Sequence, residues 1–125
     1  MANKYVVKDS GKRQDYASGM RRDQQSGKPR YDLIEPEILK RWAMQMEKGR
    51  EKYGERNWEK ASSQEELNRF KASAYRHFIQ WVNGWDTEED HAVATFFNIA
   101  AAEYVKDKLN GIILPKKQNK NTRKT

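Results

Sequence analysis

The sequence predicts an all-α protein built from helical hairpins, and three observations carry that expectation. Three stretches place apolar residues at spacings of three and four, the repeat of an amphipathic helix. Each opens on a helix-start signal, and the first two close on a glycine. Strand character is confined to Tyr5-Val6-Val7, a short strand or a patch that packs on the body. No cysteine is present to build a disulfide scaffold or a thiolate metal site.

The 125 residues are enough for one domain. Only 36% are hydrophobic, so the four tryptophans must supply much of the buried area. The net charge of +7 is unevenly spread. Residues 1–30 carry +5, residues 106–125 carry +6, and residues 31–105 carry −4. The basic charge therefore sits on the ends of an acidic body. Basic ends bind nucleic acid or simply solubilise. No stretch reads as a signal peptide or membrane span, so a cytoplasmic protein is expected.

Residues 1–26 are polar, broken by Ser10-Gly11, Ser18-Gly19 and Ser26-Gly27, and are expected to form a largely irregular arm. The helical domain is expected over 27–114. It begins with an extended loop, Gly27 to Ile34, in which Lys28, Arg30 and Asp32 surround Tyr31. Those charges grip a small charged molecule, or are solvated while Tyr31, Leu33 and Ile34 anchor the loop. The first helix runs from Pro36, a favoured first helical residue, to about Tyr53, with Gly54 closing it. Ile38, Leu39, Trp42, Met46 and Gly49 form its apolar face. The turn that follows, Lys52-Tyr53-Gly54-Glu55-Arg56-Asn57-Trp58, combines cations for phosphate with rings for a base. Aromatics in such a turn also serve to plug a core edge.

Ser63-Gln64-Glu65-Glu66 is a capping box that opens the second helix, which ends near Asn83-Gly84. The third is expected from Thr87 to about Leu109, with Asp86 as its cap and Glu89 as the capping-box partner. From Ala92 to Ala102 it is apolar on nearly every side, the pattern of a buried helix. Its polar stripe is Glu88, His91, Thr95 and Asn98. Buried polar groups must be paired or must hold something. With only Gly84-Trp85 between the helices, they form an antiparallel hairpin. His77 lies about two turns before that link and His91 about two turns after it, which brings the chain's two histidines to similar height. A core histidine is the alternative for His77. Residues 110–114 turn and dock, and the basic tail 115–125 is expected to be disordered.

Carboxylates and imidazoles facing each other across a hairpin hold a divalent cation. Oxygen ligands fit Mg²⁺ or Mn²⁺, and imidazole tilts the choice toward Mn²⁺. Such an ion bridges phosphate oxygens and activates water. The metal candidates are His77, Glu88, Asp90 and His91, with Glu88 and His91 the catalytic candidates. Asp90 points away from the other two on an ideal helix, which suits a supporting position or a ligand of a second ion.

The strings Gly27-Lys28-Pro29-Arg30-Tyr31-Asp32-Leu33-Ile34, Lys52-Tyr53-Gly54-x-Arg56-Asn57-Trp58, Arg76-His77 and Glu89-Asp90-His91-Ala92 to Phe97-Asn98 resemble a small phage family of dATP/dGTP diphosphohydrolases. That family is related to the MazG-like all-α nucleotide pyrophosphohydrolases. The resemblance covers about residues 27–105. It implies a MazG-like helical bundle completed by pairing of protomers, a divalent metal, and hydrolysis of a purine deoxynucleoside triphosphate to monophosphate and pyrophosphate. The setting it implies is the nucleotide pool of an infected host cytoplasm. The MazG-like Glu-x-x-Asp motif is matched as Glu-x-x-His by Glu88 to His91, with Asn98 at the spacing of the relatives' Asn. Their Glu-Glu-x-x-Glu motif is not matched. Glu65-Glu66 is followed by Arg69, and His77 stands where the last Glu would be. On this reading Lys28, Arg30, Asp32, Lys52, Arg56, Asn57 and Arg76 hold the substrate's phosphates and polar edges. Tyr53 and Trp58 stack on the base, and Asn98 hydrogen-bonds base or sugar. Two rivals stand beside it: a protein that sequesters a nucleotide without cutting it, and a nucleic-acid accessory protein that uses the basic ends.

Overall fold

The computed structural model describes residues 6–113, so Tyr5 and the tail 115–125 lie outside the described residues. The chain divides into two compact units, Met1–Ile34 and Glu35–Thr125. Residues 27–34, read above with the helical domain, fall in the first.

The arm is more ordered than its sequence breaks indicate. Strands β1 (Arg13–Asp15) and β2 (Arg21–Asp23) pair antiparallel, with Gln14 opposite Arg22. Ser18-Gly19, read above as a break, is their turn, and Gly19 supplies the positive φ of 92° that the turn needs. Val6 and Val7 form no strand and are exposed. Ion pairs cross the hairpin where apolar alternation is absent: Arg21 meets Asp15 at 2.7 Å, and Arg13 meets Asp23 at 3.5 Å.

The second unit is three helices, α1 (Pro36–Tyr53), α2 (Gln64–Asn83) and α3 (His91–Leu109). Pro36 is the first residue of α1, and Glu35 caps it by accepting from Ile38 N–H at 3.0 Å. Ser63 caps α2 through Glu66 N–H at 3.1 Å, and Glu66 accepts in return from Ser62 N–H and the Ser63 hydroxyl. Gly84 ends α2 in the left-handed region at φ 68°.

Helix α3 begins four residues later than its sequence signals indicate. Asp90, not Asp86, caps it, by accepting from Val93 N–H at 3.2 Å. One contact and one backbone angle accompany the later start. A bidentate ion pair at 2.8 Å ties Asp90 to Arg41 of α1, and Asp86 takes a φ of 48°. The link between α2 and α3 is therefore 84–90 rather than Gly84-Trp85 alone.

The hairpin of α2 and α3 packs on small residues: Ala74 of α2 and Ala94, Ala101 and Ala102 of α3 are buried. Small side chains bring helix axes close. Below them Leu67, Val105 and Ala61 close the core, with Phe70 against it. The 3-10 turn Asn57–Lys60 docks on α3 through Trp58, whose ring meets Phe97 at 5.8 Å and Tyr104 at 5.1 Å, both edge-on. Lys108 fastens the same turn by donating to the carbonyls of Glu59 and Ala61 at 2.7 and 2.8 Å. Trp42 joins α1 to α3, edge-on to Phe96 at 4.6 Å. The expectation that α3 is covered all round does not hold in the single chain, because two helices and a turn cover only part of its circumference. Phe96 and Ile99 remain about half exposed. No helix among the described residues is long and apolar enough to cross a membrane.

Two substitutions test these joints. Nothing lies within 4 Å of a β-carbon added at Gly84, so Gly84→Ala isolates the left-handed backbone and should cost about 1 kcal/mol in urea unfolding. The Arg41 guanidinium holds the Asp90 carboxyl below its usual range. A depressed carboxyl stabilises the fold above its unfolded value, near pH 4, and loses that contribution as pH falls through the folded value. The stability gap between wild type and Arg41→Met should therefore be widest near neutrality and close below about pH 4.

Candidate metal centre and cleft

The chain's two histidines meet across the hairpin. His77 Nδ1 and His91 Nδ1 are 2.9 Å apart, and both side chains are buried. The alanine seam makes this approach possible. His91 Nε2 lies 2.7 Å from the carbonyl oxygen of Asp86. A carbonyl only accepts, so His91 donates from Nε2, and its neutral imidazole turns a bare Nδ1 toward His77. That is the arrangement in which metal-binding histidines are commonly held. Burial pushes the His77 imidazole toward its neutral form, and the neighbouring Arg76 acts the same way against the opposing pull of Glu89. Neutral imidazole is the form that binds metal.

The donor set fits a divalent ion. Ligand atoms of His77, Glu89 and His91 all lie within 4.8 Å of one another. Two nitrogens bound about 2.1 Å from one ion at a right angle are about 3 Å apart, close to the 2.9 Å here. In the metal-free protein the same contact is a hydrogen bond from His77 Nδ1–H to His91 Nδ1, and that proton must leave for an ion to enter.

The carboxylate in this group is Glu89, which sequence reasoning had spent on a capping box. Glu88 precedes α3 and lies outside the three-residue group, although it is exposed on the same cleft. Asp90 is committed to Arg41 and to its cap. Of the polar stripe on α3, Thr95 returns its hydroxyl to His91 O and Asn98 donates to Ala94 O, both within the helix. Asn98 is buried and does not line the cleft. The signal for Glu89 was its place two residues before His91, where a bent approach to the helix turns it back over the imidazoles.

A cleft of about 890 Å³ opens beside the cluster, large enough for a nucleotide-sized ligand. It gathers residues far apart in sequence: Lys52 and Tyr53 from the end of α1, Arg56, Asn57 and Trp58 from the turn after it, Arg76 and His77 from α2, and Glu88 and Glu89 from the link. Arg56 is engaged by Glu59, and Arg50 by Glu47 at 2.6 and 2.9 Å. Arg76 and Lys52 make no hydrogen bond or ion pair among the described residues, which leaves both cations open to an anion. Tyr53 is exposed with the Lys52 ammonium over its ring at 5.6 Å, whereas Trp58 is spent on Phe97 and Tyr104. Of the sequence-predicted loop, Lys28 meets Asp23 at 3.6 Å and Arg30 forks onto Asp32 at 2.6 and 2.8 Å. All three belong to the first unit.

Fold and site together define a helical-hairpin protein with a candidate bis-imidazole metal centre that reaches the wall of a partly cationic cleft through His77 and Glu89. A family model described as dATP/dGTP diphosphohydrolase, N-terminal, matches residues 18–111, and the chain belongs to that family. Membership makes it, at the coarse level, one of a family of hydrolases. No curated protein and no solved structure matches the chain.

The cluster separates the two adjacent glutamates. Glu89→Gln should weaken Mn²⁺ binding in calorimetry by about tenfold or more, and Glu88→Gln by no more than about threefold.

Proposed function

We propose that the protein is a metal-dependent diphosphohydrolase that cleaves a purine deoxynucleoside triphosphate, dATP or dGTP, to the monophosphate and pyrophosphate. The observation that carries this reading is the 2.9 Å imidazole pair, whose His77 lines the same cleft as Glu89 and the open cations Arg76 and Lys52. The family's description supports the substrate. A divalent ion held by His77, His91 and Glu89 would neutralise charge developing on the phosphates and ease ionisation of a nearby water. Mn²⁺ suits two imidazoles and one carboxylate better than Mg²⁺ does, because Mg²⁺ favours an oxygen shell.

The chain's own groups take the remaining roles. Arg76 offers a planar fork to phosphate oxygens, and Lys52 a point charge. Tyr53 gives an exposed ring face to the base. Glu88 lies on the cleft without a hydrogen-bond partner among the described residues, so it is free to accept the proton of the attacking water. The water oxygen bonds to the α-phosphorus. The bridging bond from that phosphorus to the β-phosphate oxygen breaks, and its electron pair leaves with pyrophosphate. In this reading the chain works as a homodimer. Phe78, Trp81, Val82 and Trp85 on and just beyond α2, with Phe96 and Ile99 on α3, expose apolar surface that a second copy would cover.

Pyrophosphate release from dATP, dGTP and the other nucleoside triphosphates, with Mn²⁺, Mg²⁺ or Co²⁺, tests the proposal. Turnover should appear with the purine deoxynucleotides and a divalent metal. It should fall by about 100-fold or more in Glu88→Gln while Mn²⁺ binding persists, because a general base is typically worth 10²–10⁴-fold. Tight nucleotide binding without turnover in any metal would replace the enzyme with a sequestering protein. A single carboxylate in the metal group is the feature that favours that rival.

A further inference from the structure

His91 can offer Nδ1 to an ion only while its proton stays on Nε2, and imidazole left to itself exchanges between two tautomers. The Asp86 carbonyl selects one of them at 2.7 Å. Asp86 reaches this position with a φ of 48°, in a region that glycine enters freely and that Asp and Asn tolerate. An unrestrained residue would leave it. One turn after His77 on α2, Gln80 donates from Nε2 to Asp86 Oδ2 at 3.1 Å. The backbone carbonyl of Gln80 also accepts from Trp85 N–H at 3.0 Å, so a single residue grips the link twice. The arrangement has a cost: Gln80 Oε1 is buried with no hydrogen-bond partner among the described residues. Turning the amide over does not remove that cost, since it would set the carbonyl against the Asp86 carboxylate. Leucine, similar in size, would leave no such orphan.

We infer that Gln80 and Asp86 are positioning residues: Gln80 holds Asp86 in its left-handed conformation, and the Asp86 carbonyl fixes the His91 proton on Nε2, leaving Nδ1 bare toward His77 and the metal. Helix α2 thus acts on the centre twice, through His77 directly and through Gln80 by way of the link. The inference rests on the metal reading for its second readout only. Its first readout concerns the metal-free protein.

With only two histidines in the chain, the imidazole nitrogens give a simple spectrum. Long-range ¹H–¹⁵N spectra of the metal-free full chain, taken where both imidazoles are neutral, should show His91 with its proton on Nε2. In Gln80→Leu and Asp86→Ala the His91 signals should move to the averaged values of a tautomer mixture. Mn²⁺ affinity should fall about tenfold in the same variants. Asp86→Asn, which keeps both an acceptor for Gln80 and tolerance of the left-handed region, should retain the wild-type spectrum and affinity. Gln80→Leu should melt no lower than wild type, which separates positioning from a general loss of fold. The inference is overturned if His91 keeps one tautomer, unchanged, in both Gln80→Leu and Asp86→Ala. If the tautomer shifts as expected but no variant, nor the wild type, binds Mn²⁺, the positioning role stands and the metal reading fails.

Discussion

Close approach of α2 and α3 is the constraint on which the rest of this protein depends. Buried alanines on both helices let the backbones come near enough for two imidazoles, one from each, to stand 2.9 Å apart. Larger residues in that seam would fill the core equally well by area, yet would part the histidines. The core is therefore shaped for the site as much as for stability. Bulk lost at the seam is recovered at its lower end, where Leu67, Val105 and Phe70 gather, and beside it, where Trp58, Phe97 and Tyr104 pack edge to face.

The same economy shapes the cleft. Part of its wall is a short turn in which Arg56 and Asn57 are exposed, so anchors are needed to fix it. Trp58 inserts into the aromatic group, and Lys108 reaches from α3 to two carbonyls of the turn. The cleft presents cations in two states. Arg50 and Arg56 are neutralised locally by Glu47 and Glu59, and Lys52 and Arg76 are left open. An anion entering the cleft meets open charge on Lys52 and Arg76, without first breaking an ion pair.

Helices α1 and α2 were legible in the sequence to the residue, because proline, serine and glycine signals at their ends act through local backbone chemistry. The pairing of α2 with α3, and the meeting of His77 with His91, followed from the short separation between the two histidines, although His91 opens α3 rather than lying two turns along it. What stayed hidden depends on contacts distant in sequence. Asp86 looks like a helix cap, and only the ion pair from Arg41, 49 residues before Asp90, explains why Asp90 has that role. Once α3 starts at His91, Glu88 leaves the helix face on which spacing had placed it, and Glu89 takes its position over the imidazoles. Trp58 and Asn98 illustrate a second limit. Residue type marks each as able to bind a base; in the structure Trp58 lines the cleft while also packing on Tyr104, and Asn98 donates back to Ala94 within α3. The β-hairpin of the arm escaped notice because ion pairs, rather than apolar alternation, define its faces.

The central claim is that the two imidazoles are neighbouring ligands of one divalent ion. Pulsed EPR of the Mn²⁺-loaded protein counts the nitrogens bound to the metal directly. The account predicts couplings from two imidazole nitrogens in the wild type, falling to one in His77→Ala. A Mn²⁺ signal without nitrogen couplings, bound by oxygens alone, would contradict it and leave the 2.9 Å contact as a buried hydrogen bond of the hairpin.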